Sequence, residues 1–221
     1  PEIKSMNPIF KNISAQETEK YLKNTKAKTL NYKKDAFIFF EGDTPAFIFV
    51  LKSGIVQIEK NTADGKRLIV NRFENPGTVF AEVYALLDSA VYDYSCRVIS
   101  DAEILRLPIE GVFGAGAYSE THFKVLKNLL NILAHKAYFL NQKLLIFSSF
   151  SLRQKIALYL LQQAEGSSRV ELNLNREAMA EYLAVPRPSL SRELMSMQKD
   201  GLLKIEKDTI IVNLDKLEDY R

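Results

Sequence analysis

The segment from Ser119 to Phe147 constrains the fold of this chain most strongly, because it contains neither proline nor glycine. Apolar residues recur along it in alternating steps of three and four, at Phe123, Leu126, Leu130, Leu133, Ala137, Leu140, Leu144 and Phe147. Such a pattern is the seam of a coiled coil, and a seam needs a partner helix. We therefore predict a long dimerisation helix over 119–147 that pairs with a second copy about a two-fold axis.

The predicted dimer interface on this helix consists of Leu126, Leu130, Leu133, Ala137, Leu140 and Leu144. The alternative is a long helix packed on its own domain, because a buried helix shows the same stripe for a few turns. We favour self-association, since the strict alternation continues from Phe123 to Phe147.

Short β-rich runs separated by turn residues fill the chain between Phe37 and Leu107. The predicted strands are Ala36–Phe40, Phe47–Lys52, Ile55–Lys60, Arg67–Phe73, Tyr94–Val98 and Ala102–Leu107. Breaks fall at Ser53-Gly54 and Asp64-Gly65, and Asp-Gly between two strands is a strong hairpin signal. Many short strands at this spacing predict an antiparallel, jelly-roll-like β-roll. A short helix precedes them, and the first predicted domain is 1–118.

A serine-rich break at Ser148–Ser151 separates the long helix from a predicted C-terminal domain over 148–221. Ser151 is a suitable N-cap for a helix over Leu152–Ala164. The remaining predicted elements are a strand over Val170–Leu174, helices over Arg176–Leu183 and Arg187–Asp200, and a hairpin of Leu202–Glu206 and Thr209–Asn213. The fold class is therefore α+β: a β-roll, a long dimerisation helix and a winged helix-turn-helix.

The residues that begin and end the helices of the last domain support this interpretation. Asn175 can cap the first of the paired helices, and Ala184–Pro186 forms a tight turn before the second. Pro188 falls in a first turn, where its missing N–H costs nothing, and Gly201 ends the helix. The predicted inward residues are Met179, Ala180, Leu183, Val185, Leu190, Leu194 and Met197.

The polar face of the second paired helix predicts binding to double-stranded DNA. A helix fits the major groove, and arginine can form two hydrogen bonds with guanine there. The candidate DNA-binding residues are Arg176, Arg187, Ser189, Ser191, Arg192 and Lys199. Bulk charge gives no support, because 148–221 holds 11 lysines and arginines against 11 aspartates and glutamates.

Composition excludes some classes of protein. The one cysteine, Cys96, cannot pair within the chain and fits a reducing cytoplasm, where we expect the protein to act. No apolar run is long enough for a membrane helix, and no signal peptide is expected. We find no phosphate-binding loop, metal-ligand cluster or nucleophile–base pair, so we do not expect an enzyme or a bound metal.

Taken together, these motifs resemble the CRP/FNR superfamily of bacterial transcription factors. The resemblance includes Glu41-Gly42-Asp43, Gly54-Ile55-Val56, Phe80-Ala81-Glu82, the long helix and Pro186–Arg192. It implies a cyclic-nucleotide-binding-type β-roll as the sensor of a small effector, with Arg187, Ser191 and Arg192 at base-contacting positions. Pro188 replaces a glutamate common in the family, so the operator sequence does not carry over.

The resemblance also indicates where an effector would bind. The family's phosphate cassette consists of Gly-Glu and, after a loop, Arg-Ser, and it matches Ala81-Glu82 and Tyr94-Ser95 here. The position that meets the purine on the long helix matches Leu140, and Asn141 follows it. The candidate effector residues are therefore Ala81, Glu82, Tyr94, Ser95, Leu140 and Asn141.

We do not expect cyclic AMP as the effector, because Tyr94 replaces the arginine of the cassette. Tyrosine offers one neutral donor, whereas arginine offers a charged fork that bonds about twice as strongly. Arg97 lies three residues further on the same strand and points to its opposite face. The effector is therefore left unidentified, and two alternatives stay open: a different small molecule in the pocket, or a protein that is active without one.

The sensor types known in this family that use iron are not expected either. An iron–sulfur cluster needs about four cysteines. A haem sensor needs a histidine in the β-roll, whereas His122 and His135 are the only histidines and are assigned to the surface of the long helix. Cys96 is assigned to the core.

The predicted function is an effector-controlled DNA-binding transcriptional regulator. It acts as a homodimer on a near-palindromic operator, and RNA polymerase is a candidate partner. The alternative is a cyclic-nucleotide-binding module that regulates a protein partner through its C-terminal domain.

Overall fold

The computed structural model describes residues 7–62, 67–87, 91–114, 119–149, 151–164, 166–171, 175–207 and 209–220. The chain forms two compact units, Pro1–His135 and Lys136–Arg221. Within the described ranges, no helix combines the length and apolarity needed to cross a membrane.

The first unit begins with a short helical region. A 3-10 helix, Pro8–Phe10, precedes helix α1, Ala15–Asn24. Ser14 caps α1 in a capping box, since its hydroxyl accepts from the Glu17 amide while the Glu17 carboxylate accepts from the Ser14 amide. This confirms the predicted helix ahead of the first strand.

Six antiparallel strands follow and form one sheet. They are β1 (Lys28–Tyr32), β2 (Phe37–Phe39), β3 (Phe47–Asn61), β4 (Arg67–Phe73), β5 (Val79–Phe80) and β6 (Ser95–Pro108). The main path runs β1-β6-β3-β4, while β2 also pairs with β6 and β5 with β3. The predicted antiparallel sheet is therefore confirmed, and so are the bounds of Arg67–Phe73.

The predicted strand breaks at Ser53-Gly54 and between Tyr94–Val98 and Ala102–Leu107 are wrong. β3 and β6 each run through as one strand, and their register shifts around Ser53 and Ile55 instead of ending. Gly54 has a positive φ of 89°, and a Cβ there would lie 2.4 Å from the Asp101 carbonyl oxygen. The glycine therefore permits close approach of β6. The predicted hairpin at Asp64-Gly65 lies outside the described residues.

Two apolar clusters fill the first unit. An aromatic cluster inside the sheet contains Phe39, Phe49, Phe80, Tyr92 and Cys96, which confirms that Cys96 is a core residue. The second cluster joins the sheet to the helices, through buried Ile48, Leu107, Val125 and Leu129 among others. Val125 and Leu129 belong to the long helix, which therefore has one face packed on its own unit.

Two helices follow β6. Helix α2 spans Ile109–Phe113, and helix α3 spans Glu120–Ser148, within one residue of the prediction at each end. His122 corrects the sequence interpretation, because it is buried and its ring centroid lies 6.0 Å from that of Tyr21. His135 is exposed, as expected for the helix surface.

The second unit has the predicted order of elements. Its helices are α4 (Leu152–Ala164), α5 (Arg176–Tyr182), α6 (Arg187–Lys199) and α7 (Leu214–Glu218), and its strands are β7 (Arg169–Glu171), β8 (Leu203–Glu206) and β9 (Thr209–Val212). The strands form one sheet in the order β7-β9-β8. Helix α7 was not predicted, and the end of the predicted strand Val170–Leu174 lies outside the described residues.

The predicted caps of this unit are confirmed. The Ser151 hydroxyl accepts from the amide of Gln154, and the Asn175 side chain accepts from the amide of Ala178. Gly201 follows α6 with a φ of +71°. Six of the predicted inward residues are buried, namely Met179, Ala180, Leu183, Leu190, Leu194 and Met197, and Val185 packs half-buried against them.

Candidate DNA-binding and effector sites

Helix α6 presents a polar face opposite its buried face. Leu190, Leu194 and Met197 are buried at spacings of four and three, which fixes the inward side of the helix. Ser191, Arg192 and Lys199 are exposed on the outer side. The Arg192 Nε lies 3.4 Å from the Pro188 carbonyl oxygen, so the guanidinium follows the outer surface of the helix.

The remaining predicted DNA-binding residues lie at the edges of this face. Arg187 begins α6 and is exposed, whereas Ser189 is half-buried. Arg176 begins the preceding helix and is half-buried, and its Nη1 has no hydrogen-bond partner among the described residues. Burial lowers the pKa of this guanidinium.

Arg153 of α4 holds α6 in place, and sequence reasoning missed it. Its guanidinium donates to Glu193 at 2.6 Å, to Asp200 at 2.7 Å and to the Ser196 hydroxyl at 2.8 Å. The hydrogen bond to Glu193 is the main reason that the pKa of Arg153 is raised. The available signal was the spacing of polar residues three, four and seven apart along one side of α6.

The hairpin after α6 forms the wing. β8 and β9 pair from Leu203↔Val212 to Glu206↔Thr209, and β7 extends this sheet through β9. Lys207 lies at the turn with a φ of +46° and is exposed. Its side chain is therefore accessible to solvent at the turn of the hairpin.

The outer face of α3 carries a stripe of exposed apolar residues. Phe123 is 60% exposed, Leu130 64%, Leu140 58% and Leu144 56%. Of the other predicted interface residues, Ala137 is exposed, whereas Leu126 and Leu133 are half-buried against the core of the first unit. Leucines exposed at heptad spacing are available for a second helix.

The first half of the predicted effector cassette lies between β5 and a short 3-10 helix, Glu82–Ala85. Ala81 precedes this helix with φ 59° and ψ 11°, a left-handed conformation that glycine adopts more easily. The Glu82 side chain is buried. Ala85 packs against the apolar cluster that also contains Val125 and Leu129 of α3.

The second half of the cassette is engaged by other protein groups. The Ser95 hydroxyl accepts from the Glu41 amide at 2.9 Å. The Lys60 ammonium lies 3.1 Å from the Glu41 carboxylate and 5.6 Å from the centroid of the Tyr94 ring. Glu41 therefore contacts both Ser95 and Lys60, and Lys60 also lies over the Tyr94 ring.

Arg97 does not replace the missing cassette arginine. It faces away from the aromatic cluster, with its Nη1 3.3 Å from Asp35 and its Nε 3.4 Å from buried Glu59. Beside the cassette, the Phe39 and Tyr92 rings stack at 3.9 Å, and burial raises the pKa of Tyr92 to about 12.

The remaining effector candidates, Leu140 and Asn141, belong to the second compact unit and are exposed on α3. The other four, Ala81, Glu82, Tyr94 and Ser95, belong to the first unit. The structure leaves the roles of all six residues as predictions.

Comparison with known proteins finds two domain models that match successive parts of the chain. A model of the cyclic nucleotide-binding domain matches residues 29–114, and a model of the Crp-like helix-turn-helix domain matches residues 154–220. The anaerobic regulatory protein of Bacillus subtilis is 23% identical over 220 residues, which cover 94% of this chain and 88% of that protein. The transcriptional activator protein anr of Pseudomonas aeruginosa is 24% identical, covering 84% and 76%.

Among solved structures, the catabolite activator protein of Thermus thermophilus has a similar fold. It superposes with a TM-score of 0.54 at 22% identity, covering 97% of this chain and 98% of that one. The sensor-domain model and the helix-turn-helix model thus both match this chain, in that order. The protein therefore belongs to the CRP/FNR superfamily of DNA-binding transcriptional regulators.

Proposed function

We propose that this protein binds a near-palindromic operator as a homodimer, with one α6 in each of two successive major grooves. The observation that supports this most directly is the exposed polar face of α6, which contains Ser191, Arg192 and Lys199 opposite the buried Leu190 and Leu194. Two-fold symmetry in the protein requires matching half-sites, about 34 Å apart for one turn of DNA.

Within this proposal, Arg187, Ser191 and Arg192 read base edges. Ser189, Arg176 and Lys199 position the helix through phosphates. Lys199 is exposed near the end of α6, where an ammonium can approach the backbone. Phosphate contacts add affinity on any sequence, whereas arginine contacts with guanine add discrimination.

The dimer forms through α3 in this proposal. The exposed stripe of Leu130, Leu140 and Leu144 costs free energy in a monomer, since each leucine leaves apolar area in water. A second helix would bury these side chains in a parallel coiled coil. Effector control then operates through this helix.

We further propose that a small effector other than cyclic AMP acts near Glu82 and Tyr94. The short helix Glu82–Ala85 contacts the α3 cluster through Ala85, so a shift at Glu82 would change how α3 packs. The effector would thereby shift the population of DNA-binding conformers. In this proposal the protein acts in the cytoplasm, and RNA polymerase is a candidate partner. We assign the chain a regulatory role without catalysis.

Fluorescence anisotropy with labelled duplexes tests the proposal. DNA from upstream of the protein's own gene and a scrambled duplex would be titrated at several salt concentrations, because phosphate contacts make affinity fall steeply with salt. Native mass spectrometry of freshly purified protein would report the dimer and any co-purified effector. A monomer with equal and weak affinity for both duplexes would overturn the proposal.

A further inference from the structure

Met195 is an unusual residue on the surface of the DNA-binding unit. Its side chain is 59% exposed. From 151 to 220, no other large apolar side chain among the described residues is exposed to solvent. Scattered exposed apolar residues are normal on a protein surface, but a single one among the described residues from 151 to 220 invites a reason for its position.

That position is the DNA-facing side of α6. Met195 follows Ser191 by four residues and Arg192 by three, so all three share one face of the helix. Lys199, four residues further on, is exposed on the same face. The buried side of α6 is occupied by Leu194 and Met197, and the Arg153 contacts hold its flank. Met195 therefore projects where duplex DNA would lie.

We propose that Met195 is a specificity-determining residue that recognises a thymine C5 methyl group in the major groove. This inference rests on the proposed docking of α6. The thymine methyl is the one apolar group that the base edges present in this groove, and apolar side chains contact it. Methionine suits such a contact because its flexible, polarisable thioether adapts to an irregular surface.

In the proposed docking, Ser191 and Arg192 contact hydrogen-bonding groups of the base edges. Met195, about one helical turn further along α6, contacts the apolar methyl group of a thymine. Along the helix axis, Met195 lies about 6 Å from Ser191 and about 4.5 Å from Arg192. The contact therefore specifies a base pair that the arginine does not reach. Burial of one methyl group corresponds to about fourfold in affinity, and about fifteenfold when both half-sites of a dimer contribute.

The test combines a protein change with an atomic change in the DNA. The full chain would first select its operator from a random duplex pool. Each thymine pair related by the operator symmetry would then be replaced in turn by deoxyuridine, which removes only the methyl group. Affinities would be measured for the original protein, Met195→Ala, Met195→Leu and Lys199→Ala.

We expect one symmetric thymine position at which deoxyuridine weakens binding of the original protein about fifteenfold. Met195→Ala should bind the thymine operator about as weakly and should no longer distinguish thymine from deoxyuridine there. Met195→Leu should retain most of the discrimination, and Lys199→Ala should weaken both operators equally.

Two results would overturn the inference. A deoxyuridine profile that Met195→Ala leaves unchanged would do so while leaving the proposed function intact. Failure of the original protein to select any duplex would overturn the proposed function as well. Met195 is exposed, so its replacement by alanine keeps the helix, and circular dichroism would verify the fold.

Discussion

The Arg153 guanidinium donates through Nε to the Glu193 carboxylate at 2.6 Å, which ties the first helix of the DNA-binding unit to its recognition helix α6. Both side chains are about one-quarter exposed, so solvent screens this ion pair less than a surface pair. Because Asp200 and Ser196 accept from the same guanidinium, one side chain fixes two turns of α6.

Replacing Arg153 by alanine should therefore destabilise this unit by about 1–3 kcal/mol, since it leaves a partly buried Glu193 without its charged donor. The same change should weaken operator binding even though Arg153 lies on α4. Urea unfolding and fluorescence anisotropy would measure the two effects.

Lys155→Ala is the matched control, because Lys155 lies on the same helix and makes no ion pair with the described residues. It should change neither quantity by more than about 0.5 kcal/mol. Equal effects of the two substitutions would show that charge alone, rather than the Arg153 contacts, matters.

The most accurate predictions from the sequence concern helices that are bounded by capping residues. Ser151, Asn175 and Gly201 bound α4, α5 and α6, and each acts through groups within a few residues of itself. The bounds of these helices consequently agree with the prediction within about one residue.

Features that depend on distant residues were not predictable. Gly54 looked like a turn, yet it serves the close approach of Ala102 on β6, almost fifty positions away. His122 looked like helix surface, but Tyr21 of α1 covers it. The Arg153 contacts likewise join residues forty or more positions apart. Amphipathic periodicity tells which face of a helix is apolar, not which distant side chain covers it.

The left-handed conformation of Ala81 gives a prediction about stability. A left-handed alanine costs about 1–2 kcal/mol, whereas the extra chain entropy of glycine costs only about 0.5–1 kcal/mol. Ala81→Gly should therefore raise the free energy of unfolding by about 0.5–1 kcal/mol. Ala85→Gly, at the other end of the same short helix, should lower it, and thermal unfolding would compare the two.

Exposed Leu130 provides a test of the dimer. Leu130→Glu would place a charge in a proposed seam that contains two copies of the residue, so the loss is about 3–6 kcal/mol per dimer. That corresponds to at least a hundredfold weaker association. Analytical ultracentrifugation should show a monomer.

Leu68→Glu is the control, because Leu68 is also exposed, at 54%, but lies on β4 outside the stripe. It should leave the association unchanged. A Leu130→Glu protein that sediments like the original chain would exclude Leu130 from the interface.

Arg192 should govern sequence preference. In the proposed docking of α6, Arg192→Ala removes two hydrogen bonds to one base in each half-site, a loss of about 1–3 kcal/mol per half-site. Affinity for the selected operator should fall at least tenfold and the preference at that base pair should relax, while affinity for random duplex changes little. Anisotropy titrations against operators varied one base pair at a time would measure this, and an equal loss on random DNA would mean that Arg192 contacts phosphate.

Cys96 reports on the core of the first unit because it is the one cysteine of the chain and is fully buried. Burial raises the pKa of its thiol, so the reactive thiolate is scarce in the folded protein. A thiol reagent should therefore react slowly at neutral pH and rapidly in denaturant. Fast labelling of the folded chain would contradict this burial.

The same shift fixes the sign of the pH dependence of stability. Burial raises the pKa of the Cys96 thiol, so the folded chain holds this proton more tightly than the unfolded chain. Below a thiol's ordinary pKa of 9.0 the group is protonated in both states, and it does not change the free energy of unfolding. Stability should fall as the pH rises above that value, because the unfolded chain then loses the proton first. Tyr92, whose pKa burial raises to about 12, should add to the loss above about pH 10. Urea midpoints should decline over this range, and less so in Cys96→Ala after correction for its lower stability at neutral pH.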